Sequence, residues 1–445
     1  MLRRIYEDLA YGPRPLRDRF WPTTIVTPPP EYSALHDDTS CEFCIIGGGF
    51  TGLSAALTLA QSGADVVLLD ANIPGWGASG RNGGLVAVGG SKLDDEDIIR
   101  KFGAQDAQVY FDAERAAVDL VEQYLDRYQL DVDRHSNGYT MVAHRPSAIE
   151  SIRSYAESYR TRYGLAHEFV PQEEMATHGL NSPDFCAAVH LPIGFALNPL
   201  KFLLGLTRAA EAAGVRMHSN TPVTQITQDN GHVLHTPRAR VRARKLLIAT
   251  NGYSSENLPR AFAGRYLPVQ SNILVSRPLS EAELAAQGWT SRQMVVDSRT
   301  LLHYFRLLPD NRMLLGLRGS VRVNEASITA TRAKARADFD RMFPAWQQVE
   351  TPYFWSGLIC MTRNLVPFAG AIPGLPNAWA ALGYHGNGVP MAPYGGALIA
   401  DMALGKSTRA HPNLMKQPLR RFELGRWRRA SLPAAFSWYR FRDNW

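Results

Sequence analysis

The stretch CIIGGGFTG, residues 44–52, decides the fold of this chain. Gly47, Gly49 and Gly52 form a G-x-G-x-x-G pattern between an apolar run that predicts a strand and a segment with the apolar spacing of a helix. The first glycine permits a tight turn, the second lets the backbone approach a pyrophosphate, and the third lets helix and strand pack closely. Free N–H groups at the start of the helix would face the phosphates. The stretch therefore predicts a dinucleotide on a Rossmann-like β-α-β unit.

A second apolar strand, predicted at residues 64–70, follows the helix and ends at Asp70. A carboxylate at this point of the unit is placed to accept hydrogen bonds from a ribose. The β-α-β unit alone does not separate NAD from FAD.

Two further glycine-rich loops separate the two cofactors. GASGRNGG, residues 77–84, follows the second strand, and GYHGNGV, residues 383–389, precedes another predicted helix. A nicotinamide cofactor has little need for both loops, whereas the longer FAD spans them. No second strand, G-x-G-x-x-G and helix unit is present for NAD(P)H. We therefore predict FAD, with electrons leaving to oxygen or to a quinone or flavoprotein acceptor.

The nucleotide-binding segments are interrupted twice by stretches that do not have the pattern of a parallel α/β fold. We predict an α/β protein with a discontinuous, Rossmann-like FAD-binding domain of the glutathione-reductase type and a mostly antiparallel α+β substrate domain. The predicted boundaries are an N-terminal arm at 1–40, the FAD-binding domain at 41–98, 190–262 and 355–405, the substrate domain at 99–189 and 263–354, and a C-terminal tail at 406–445.

The net charge of +7 is concentrated in the tail, which carries ten Lys and Arg residues against two carboxylates. Aromatic residues are interleaved with these charges: Trp427, Phe436, Trp438, Tyr439, Phe441 and Trp445. Such a tail suits a membrane surface, a protein partner or RNA. We favour the simpler interpretation, in which the aromatic rings pack on the body and the arginines remain in water. We accordingly predict no nucleic-acid partner.

The remaining composition is that of an ordinary globular enzyme. No apolar run approaches the roughly 20 residues of a transmembrane helix, and the first residues carry charges where a signal peptide would be apolar. Four cysteines give no disulfide framework, and no metal-ligand spacing is present. These features favour a cytoplasmic location.

Five motifs together resemble the FAD-dependent amine and amino-acid oxidoreductases of the D-amino-acid oxidase superfamily. They are GGGFTGLSAAL at 47–57, GASGRNGG at 77–84, LLHYFRLLPDNRMLLG at 301–316, WSG at 355–357 and GYHGNGV at 383–389. The resemblance extends from about Cys41 to Gly405, and the closest likeness is to members that oxidise γ-glutamylputrescine. It implies hydride transfer from the carbon beside an amine to the flavin, giving an imine that water hydrolyses to an aldehyde.

The resemblance also implies which residues contact FAD. They are Gly47, Gly49, Phe50, Thr51, Gly52, Asp70, Ala71, Ala78, Ser79, Arg81, Asn82, Gly83, Gly84, Leu85, Val223, Thr250, Asn251, Gly252, Gly386, Asn387, Gly388 and Val389. A covalent link to Cys360 is the alternative to the noncovalent FAD that we expect.

Hydride transfer to a flavin does not require a dedicated acid or base, so the candidate catalytic residues are those that would shape the substrate pocket. They are His303, Tyr304, Arg306, Trp355 and His385. In a strand, residues 304 and 306 share a face opposite to 303, so only one of these sets faces the flavin. An ordinary sheet histidine at 303 and a packing role for Trp355 remain the alternatives.

Two departures from the family bear on the substrate. Pro390 stands where sarcosine-oxidase-like members have a lysine, and Ile359 stands where glycine-oxidase-like members have an arginine. We therefore expect a γ-glutamylated or other aliphatic amine rather than a small α-amino acid. The alternative is an oxidase or dehydrogenase of an amino acid, an N-methyl amino acid or an aminophosphonate, with Arg306 or Arg363 binding the anionic group.

Overall fold

The computed structural model describes residues 2–13 and 16–444. The strands, in chain order, are β1 Thr39–Ile46, β2 Val66–Leu69, β3 Leu85–Val86, β4 Tyr139–Ala143, β5 Glu168–Pro171, β6 Ala187–Leu191, β7 Phe195–Ala196, β8 Arg216–His218, β9 Gln225–Gln228, β10 His232–His235, β11 Arg240–Ile248, β12 Tyr266–Val275, β13 Met294–Asp297, β14 Tyr304–Leu307, β15 Met313–Arg318, β16 Tyr353–Thr362, β17 Phe368–Ala371 and β18 Ala378–Leu382. The α-helices are α1 Phe50–Ala60, α2 Asp95–Phe102, α3 Ala104–Arg127, α4 Ile149–Tyr163, α5 Pro199–Ala212, α6 Glu281–Gln287, α7 Glu325–Met342, α8 Gly388–Leu404, α9 Asn413–Lys416 and α10 Leu432–Asn444.

The first sheet has the order β17-β18-β11-β1-β2-β8, with β9 and β10 added beside β11. Its central pairs, β1 with β11, β1 with β2 and β11 with β18, are parallel. All four residues of β2 are buried, as expected for a parallel strand covered on both faces. Helices α1 and α8 pack against each other beside this sheet. The predicted Rossmann-like arrangement is confirmed.

The second sheet has the order β16-β12-β15-β14-β13-β4-β6-β5. Its pairs are antiparallel apart from β13 with β4. One face packs on an aromatic cluster that includes Trp289, Phe305, Phe343 and Trp346. The mostly antiparallel second layer that the sequence predicted is therefore present.

Strand β16 and helix α3 do not pack within the domains to which the sequence assigned them. Strand β16 pairs with β12 along its whole length, so residues 355–362 belong to the second sheet rather than to the FAD-binding unit. Helix α3, predicted within the substrate domain, packs on α8, and Ser54 of α1 shares a 2.7 Å hydrogen bond with the hydroxyl of Tyr124. An amphipathic pattern identifies the buried face of an element but not the element that covers it.

The N-terminal arm packs on the body near the second glycine-rich loop. Trp21 is buried, and its Nε1 donates a 2.9 Å hydrogen bond to the carbonyl of Asn82. Arg19 donates a 2.9 Å hydrogen bond to the carbonyl of Gly75.

The tail differs from the predicted arrangement of rings inside and arginines outside. Arg428 is 1% exposed and pairs with Glu256, whereas Trp427, Trp438 and Phe441 are 65%, 59% and 52% exposed. Trp445, the last of the predicted tail aromatics, lies outside the described residues. None of the described helices has both the length and the apolarity needed to cross a membrane.

Candidate active site

A long cleft opens where the parallel strands of the first sheet end. The chain segments that line it follow β1, β2, β11 and β18 directly, at Gly47, Asp70, Ala249 and Tyr384. This edge is where open α/β sheets bind their ligands. The cleft encloses about 1460 Å³, part of it open to solvent. We call it the cofactor cleft.

The first glycine-rich loop follows β1, and close contacts leave no space for side chains at two of its glycines. A Cβ atom at Gly52 would lie 1.8 Å from the carbonyl oxygen of Gly47, and Gly47 itself has a φ of +108°. Any side chain at Gly52 would therefore separate α1 from the loop. Gly49, at the N-terminal cap of α1, carries no side chain that could cap the helix. The helix start is consequently suited to a phosphate group.

Asp70 fixes the next edge of the cofactor cleft. Its Oδ2 accepts a 2.7 Å hydrogen bond from the Gly48 N–H, and its Oδ1 accepts one of 2.8 Å from Asn72. Burial raises the pKa of the Asp70 carboxyl, while these two N–H groups act in the opposite direction. The carboxylate is thus held beside the loop, with acceptor capacity left for a ribose hydroxyl.

The second glycine-rich loop is organised around Arg81. Its guanidinium lies 4.3 Å from the centre of the Trp76 ring, and its Nη1 donates a 3.1 Å hydrogen bond to the carbonyl of Ser356. Its Nη2 is buried without a hydrogen-bond partner within the described part of the chain. Trp355 is buried behind this loop and donates a 2.7 Å hydrogen bond to the Arg81 carbonyl. Trp355 therefore supports the loop. It does not line the pocket, where the sequence predicted it.

The third glycine-rich loop, before α8, is held by His385. The Nδ1 of His385 donates a 2.7 Å hydrogen bond to the carbonyl of Gly90, and its Nε2 accepts one of 3.1 Å from the Thr362 N–H. Burial lowers the pKa of His385 to about 4, so the ring is neutral. Because both nitrogens are engaged by main chain, His385 positions the loop, and it also lines the pocket that the sequence predicted it to shape.

Most of the residues expected to contact FAD surround one continuous space. All of them apart from Gly52 and Gly252 line the cofactor cleft or the cavity that adjoins it. Gly52 lies behind the first loop, and a Cβ atom at Gly252 would meet the Leu358 carbonyl at 2.9 Å. The glycine-lined approach, the open helix start and the free Nη2 of Arg81 fit a bound FAD.

The adjoining space, which we call the inner cavity, has a volume of about 1300 Å³ between the third loop and the second sheet, part of it open to solvent. It shares Leu358, Ile359 and Tyr384 with the cofactor cleft. The rest of its wall combines aromatic and aliphatic side chains with three cations: Tyr139, Tyr155, Ile273, Val296, Leu302, Tyr304, Arg81, Lys92 and Arg318. Of the five predicted catalytic residues, Tyr304 and His385 line this cavity.

Tyr304 and Arg318 face the inner cavity from neighbouring strands. Tyr304 pairs with Gly316, so Arg318, two residues further along β15, lies on the same face of the sheet. The Tyr304 ring covers Gly316, where a Cβ atom would lie 2.0 Å from it. The Tyr304 hydroxyl shares a 3.2 Å hydrogen bond with Ser271.

Arg318 and Lys92 are the residues that sequence reasoning missed. A Cβ atom at Gly386 in the third loop would lie 3.7 Å from Nη2 of Arg318. Burial lowers the pKa of Arg318, and burial together with Arg318 lowers the pKa of Lys92 to about 8. The pairing of β14 with β15 places Arg318 on the same face as Tyr304. The sequence alone does not specify this pairing, so it could not have identified Arg318. The sequence around Lys92 carries no comparable signal.

The structure places His303 and Arg306 outside the inner cavity, which corrects two predictions. His303 lies on the opposite face of the sheet, 2.7 Å from Asp297 and 3.2 Å from Asp338, and these carboxylates raise its pKa although burial alone would lower it. Arg306 lies in a separate cavity and donates a 2.7 Å hydrogen bond to the Leu197 carbonyl. A strand pattern indicates which side chains share a face but not what covers that face.

Arg363 lies away from the site, and the surroundings of Cys360 disfavour the covalent link raised as an alternative. Arg363 forms a surface ion pair with Glu423 and lines neither the cofactor cleft nor the inner cavity. Cys360 lines the cofactor cleft, but burial raises the pKa of its thiol to about 12. Because the thiolate is the nucleophilic form, this environment disfavours attack on a flavin.

Comparison with known proteins agrees with this site. Residues 42–402 match the model of the family described as DAO, FAD dependent oxidoreductase. The chain belongs to this family. It is therefore an FAD-dependent oxidoreductase, and the predicted cofactor is confirmed.

Similar proteins cover almost the whole chain. A probable oxidoreductase OrdL of Rhizobium meliloti is 33% identical over 95% of this chain and 97% of its own length. The γ-glutamylputrescine oxidoreductase of Escherichia coli is 30% identical over 93% of this chain and 95% of its own length. Glycine oxidase from Geobacillus kaustophilus shares the fold, with a TM-score of 0.70 and 20% identity over 87% of this chain and the whole of that structure. The predicted likeness to a γ-glutamylputrescine oxidoreductase is thus found.

Proposed function

We propose that this enzyme oxidises an aliphatic amine of the γ-glutamylputrescine type at the carbon beside the amine nitrogen. FAD supplies the hydride acceptor when it is bound. Loss of hydride from the neutral amine leaves an iminium ion, which releases a proton to give the imine, and water hydrolyses the imine to an aldehyde and ammonia. The similar protein from Escherichia coli is named γ-glutamylputrescine oxidoreductase, which supports this reaction class.

The charge of the inner cavity is the observation that carries the proposal. Its wall includes Arg81, Arg318 and Lys92 but no carboxylate among the described residues. Hydride leaves the carbon readily only when the lone pair of the amine is free to form the imine. Nearby cations disfavour a charged ammonium and so lower the pKa of an amine. Such a cavity favours the reactive, neutral amine without a dedicated base.

The chain positions the substrate mainly through Tyr304 and the third loop. The ring of Tyr304 is fixed over Gly316 and its hydroxyl contacts Ser271, which gives the cavity one rigid aromatic wall. His385 holds the opposite loop to Gly90 and to β16. We propose that these contacts orient the carbon for hydride transfer and limit water beside it.

An amino acid, an N-methyl amino acid or an aminophosphonate is the second candidate substrate. The same cations favour it, because each of these compounds carries an anion close to its amine. Its oxidation would use the same carbon–hydrogen bond chemistry and the same residues.

The acceptor and the location are further parts of the proposal. We propose oxygen, with release of hydrogen peroxide, or a quinone or flavoprotein as the acceptor, and a cytoplasmic enzyme. The described cysteines are all free, which supports a reducing compartment. The exposed Trp438 and Phe441, with Arg442 beside them, suit peripheral contact with an anionic membrane that holds a quinone.

A substrate screen of the purified holoenzyme tests the proposal. Flavin bleaching without oxygen and peroxide release with oxygen are measured for polyamines, γ-glutamyl amines, N-methyl amino acids and aminophosphonates. We expect rapid bleaching by a γ-glutamylated amine. Bleaching only by small amino acids would favour the second candidate, and the absence of bleaching by every amine would overturn the proposal. Bleaching by an amine without peroxide would identify an acceptor other than oxygen.

A further inference from the structure

The start of the N-terminal arm, residues 2–11, reaches the cofactor cleft, and we call this segment the strap. Leu2 and Arg4 line the cleft together with Tyr253. The strap precedes residues 42–402, the part of the chain that matches the family. It therefore brings two side chains to the cofactor cleft from outside the matched region.

The cofactor cleft carries little positive charge for a site that holds a dinucleotide. Asp70 brings a carboxylate to it, and Arg4 is the only Lys or Arg side chain in its lining among the described residues. Arg81, the cation of the second glycine-rich loop, lines the inner cavity instead. A pyrophosphate is a dianion, and a helix start offers it only partial charges. A full positive charge beside the phosphates would be stabilising, and Arg4 is the residue that can supply it.

Ring contacts connect Arg4 to the second glycine-rich loop. The Arg4 guanidinium lies 4.3 Å from the centre of the Tyr11 ring, and the Tyr11 ring meets the Tyr253 ring edge-on at 6.3 Å. The Tyr253 ring packs against Trp76, directly before that loop, at 5.4 Å. Ser79 of the loop accepts a 2.9 Å hydrogen bond from the first N–H of α1. A continuous row of contacts thus runs from Arg4 to the helix start at which we expect the phosphates.

Arg4 has no carboxylate partner of its own. Within the described part of the chain it contacts Tyr11 but forms no ion pair. Glu7 of the strap is engaged by Arg429 and by the N–H of Val323. The guanidinium of Arg4 therefore keeps N–H donors for an anion, and its planar shape suits a phosphate group.

Contacts from two other segments fix the strap. The N–H of Arg3 donates a 2.8 Å hydrogen bond to Oδ1 of Asn257, and the Arg3 carbonyl accepts one of 2.8 Å from the Glu256 N–H. Arg429 of the C-terminal tail pairs with Glu7 at 2.6 Å. A fixed support of this kind reduces the entropy that is lost when a ligand binds.

We propose that Arg4 binds the FAD pyrophosphate and that the strap thereby slows the release of the cofactor. The guanidinium would donate charge-assisted hydrogen bonds to phosphate oxygens. The tail would contribute indirectly, because Arg429 holds the strap but does not itself line the cofactor cleft. The inference concerns FAD and does not depend on which amine is oxidised.

The rate at which the holoenzyme releases FAD tests the inference. The purified holoenzyme is diluted, and the rise in flavin fluorescence gives this rate for the wild type, Arg4→Gln, Arg4→Lys and Arg17→Gln. We expect Arg4→Gln to release FAD about tenfold faster or more, because a charge-assisted contact is lost. Arg4→Lys should recover part of the loss. If Arg4→Gln is purified without flavin, titration with FAD gives the same comparison as a Kd.

Arg17→Gln is the matched control. It makes the same change of charge in the same arm, at an exposed side chain that does not line the cofactor cleft. We expect it to release FAD at the rate of the wild type. Glu7→Gln removes the ion pair that holds the strap but keeps Arg4, so it should speed release by a smaller factor than Arg4→Gln.

Salt separates an effect of charge from an effect of packing. Screening weakens an ionic contact that solvent can reach. Release from the wild type should therefore become faster as the ionic strength rises, and release from Arg4→Gln should change less.

Two results would overturn the inference. One is a release rate in Arg4→Gln equal to that of the wild type or of Arg17→Gln. The other is faster release from Arg4→Gln with the salt dependence of the wild type, which would mean that Arg4 acts only by packing on Tyr11. An unchanged rate in Glu7→Gln would overturn the part assigned to the tail.

Discussion

The cofactor cleft and the inner cavity are continuous, yet they are built from different kinds of group. The cleft includes three glycine-rich loops, and in the first of them Gly47 and Gly52 have no room for a side chain. The inner cavity is formed by side chains of the second sheet and one loop, including Tyr304, Arg318 and Lys92. We expect the glycine-rich loops to hold the cofactor and the side chains of the adjoining sheet to select the substrate.

This comparison predicts that substitution of a glycine has a different effect on the enzyme in each of the two regions. Gly52→Ala places a Cβ atom 1.8 Å from the Gly47 carbonyl, so α1 must move away from the loop. We expect the largest effect here, a protein that folds poorly or retains little FAD. Flavin absorption per mole of purified protein measures it. Gly12→Ala is the control, because a Cβ atom there meets nothing closer than 3.8 Å; full flavin content in Gly52→Ala would contradict the prediction.

The matching substitution in the inner cavity is Gly316→Ala. A Cβ atom at Gly316 would lie 2.0 Å from the Tyr304 ring, which must then leave its place over β15. We expect FAD content to stay near that of the wild type while kcat/KM for the best amine falls about tenfold or more, because orientation of the substrate is lost. Loss of FAD in this variant would show that the two regions are not separable.

The pH dependence of substrate binding tests the role of the Lys92 side chain in the inner cavity. The pKa of Lys92 is lowered to about 8, so its charge is present below that pH and is lost as the pH rises through it. The neighbouring groups stay constant over this range: Arg318 remains charged, His385 with a pKa of about 4 is neutral, and the Tyr304 pKa is raised. KM for a carboxylate-bearing amine should therefore rise severalfold above pH of about 8.

Lys92→Gln is the control for that measurement. Its KM should already be high and should lack the rise, while titration of the substrate amine itself affects both proteins equally. The same rise in the wild type and in Lys92→Gln would assign the pH dependence to another group.

The smallest effect is expected at Cys360, which lies in the cofactor cleft. Burial raises the pKa of its thiol to about 12, so the protonated thiol should not attack the flavin. Cys360→Ala should keep the FAD content of the wild type. Acid precipitation of the wild type should leave the yellow colour in the supernatant, and colour in the precipitate would indicate a covalent link.

Sequence reasoning succeeded where function depends on local backbone. The spacing of Gly47, Gly49 and Gly52 requires a particular turn and a close helix, and both requirements act over a few residues. The strand and helix patterns likewise predicted the two layers. The tail shows the limit of such reasoning, because the position of Glu256, distant in sequence, decides that Arg428 is buried.

Strand alternation separated Tyr304 from His303 correctly, but it did not identify every residue that reaches the substrate side. It placed Tyr304 and Arg306 on one face, but Arg306 reaches a different cavity and His303 pairs with two carboxylates. Alternation gives relative directions within one strand. It contains no information about the neighbour that covers each position.

By itself, the sequence determined the dinucleotide site, the choice of FAD and the family, because glycine spacing and helix starts are local properties of the chain. The tertiary structure alone decided that Arg318 and Lys92 line the inner cavity and that both ring nitrogens of His385 hold the third loop. These outcomes depend on strand register and on contacts between segments far apart in sequence, where the free energy of packing outweighs local preference.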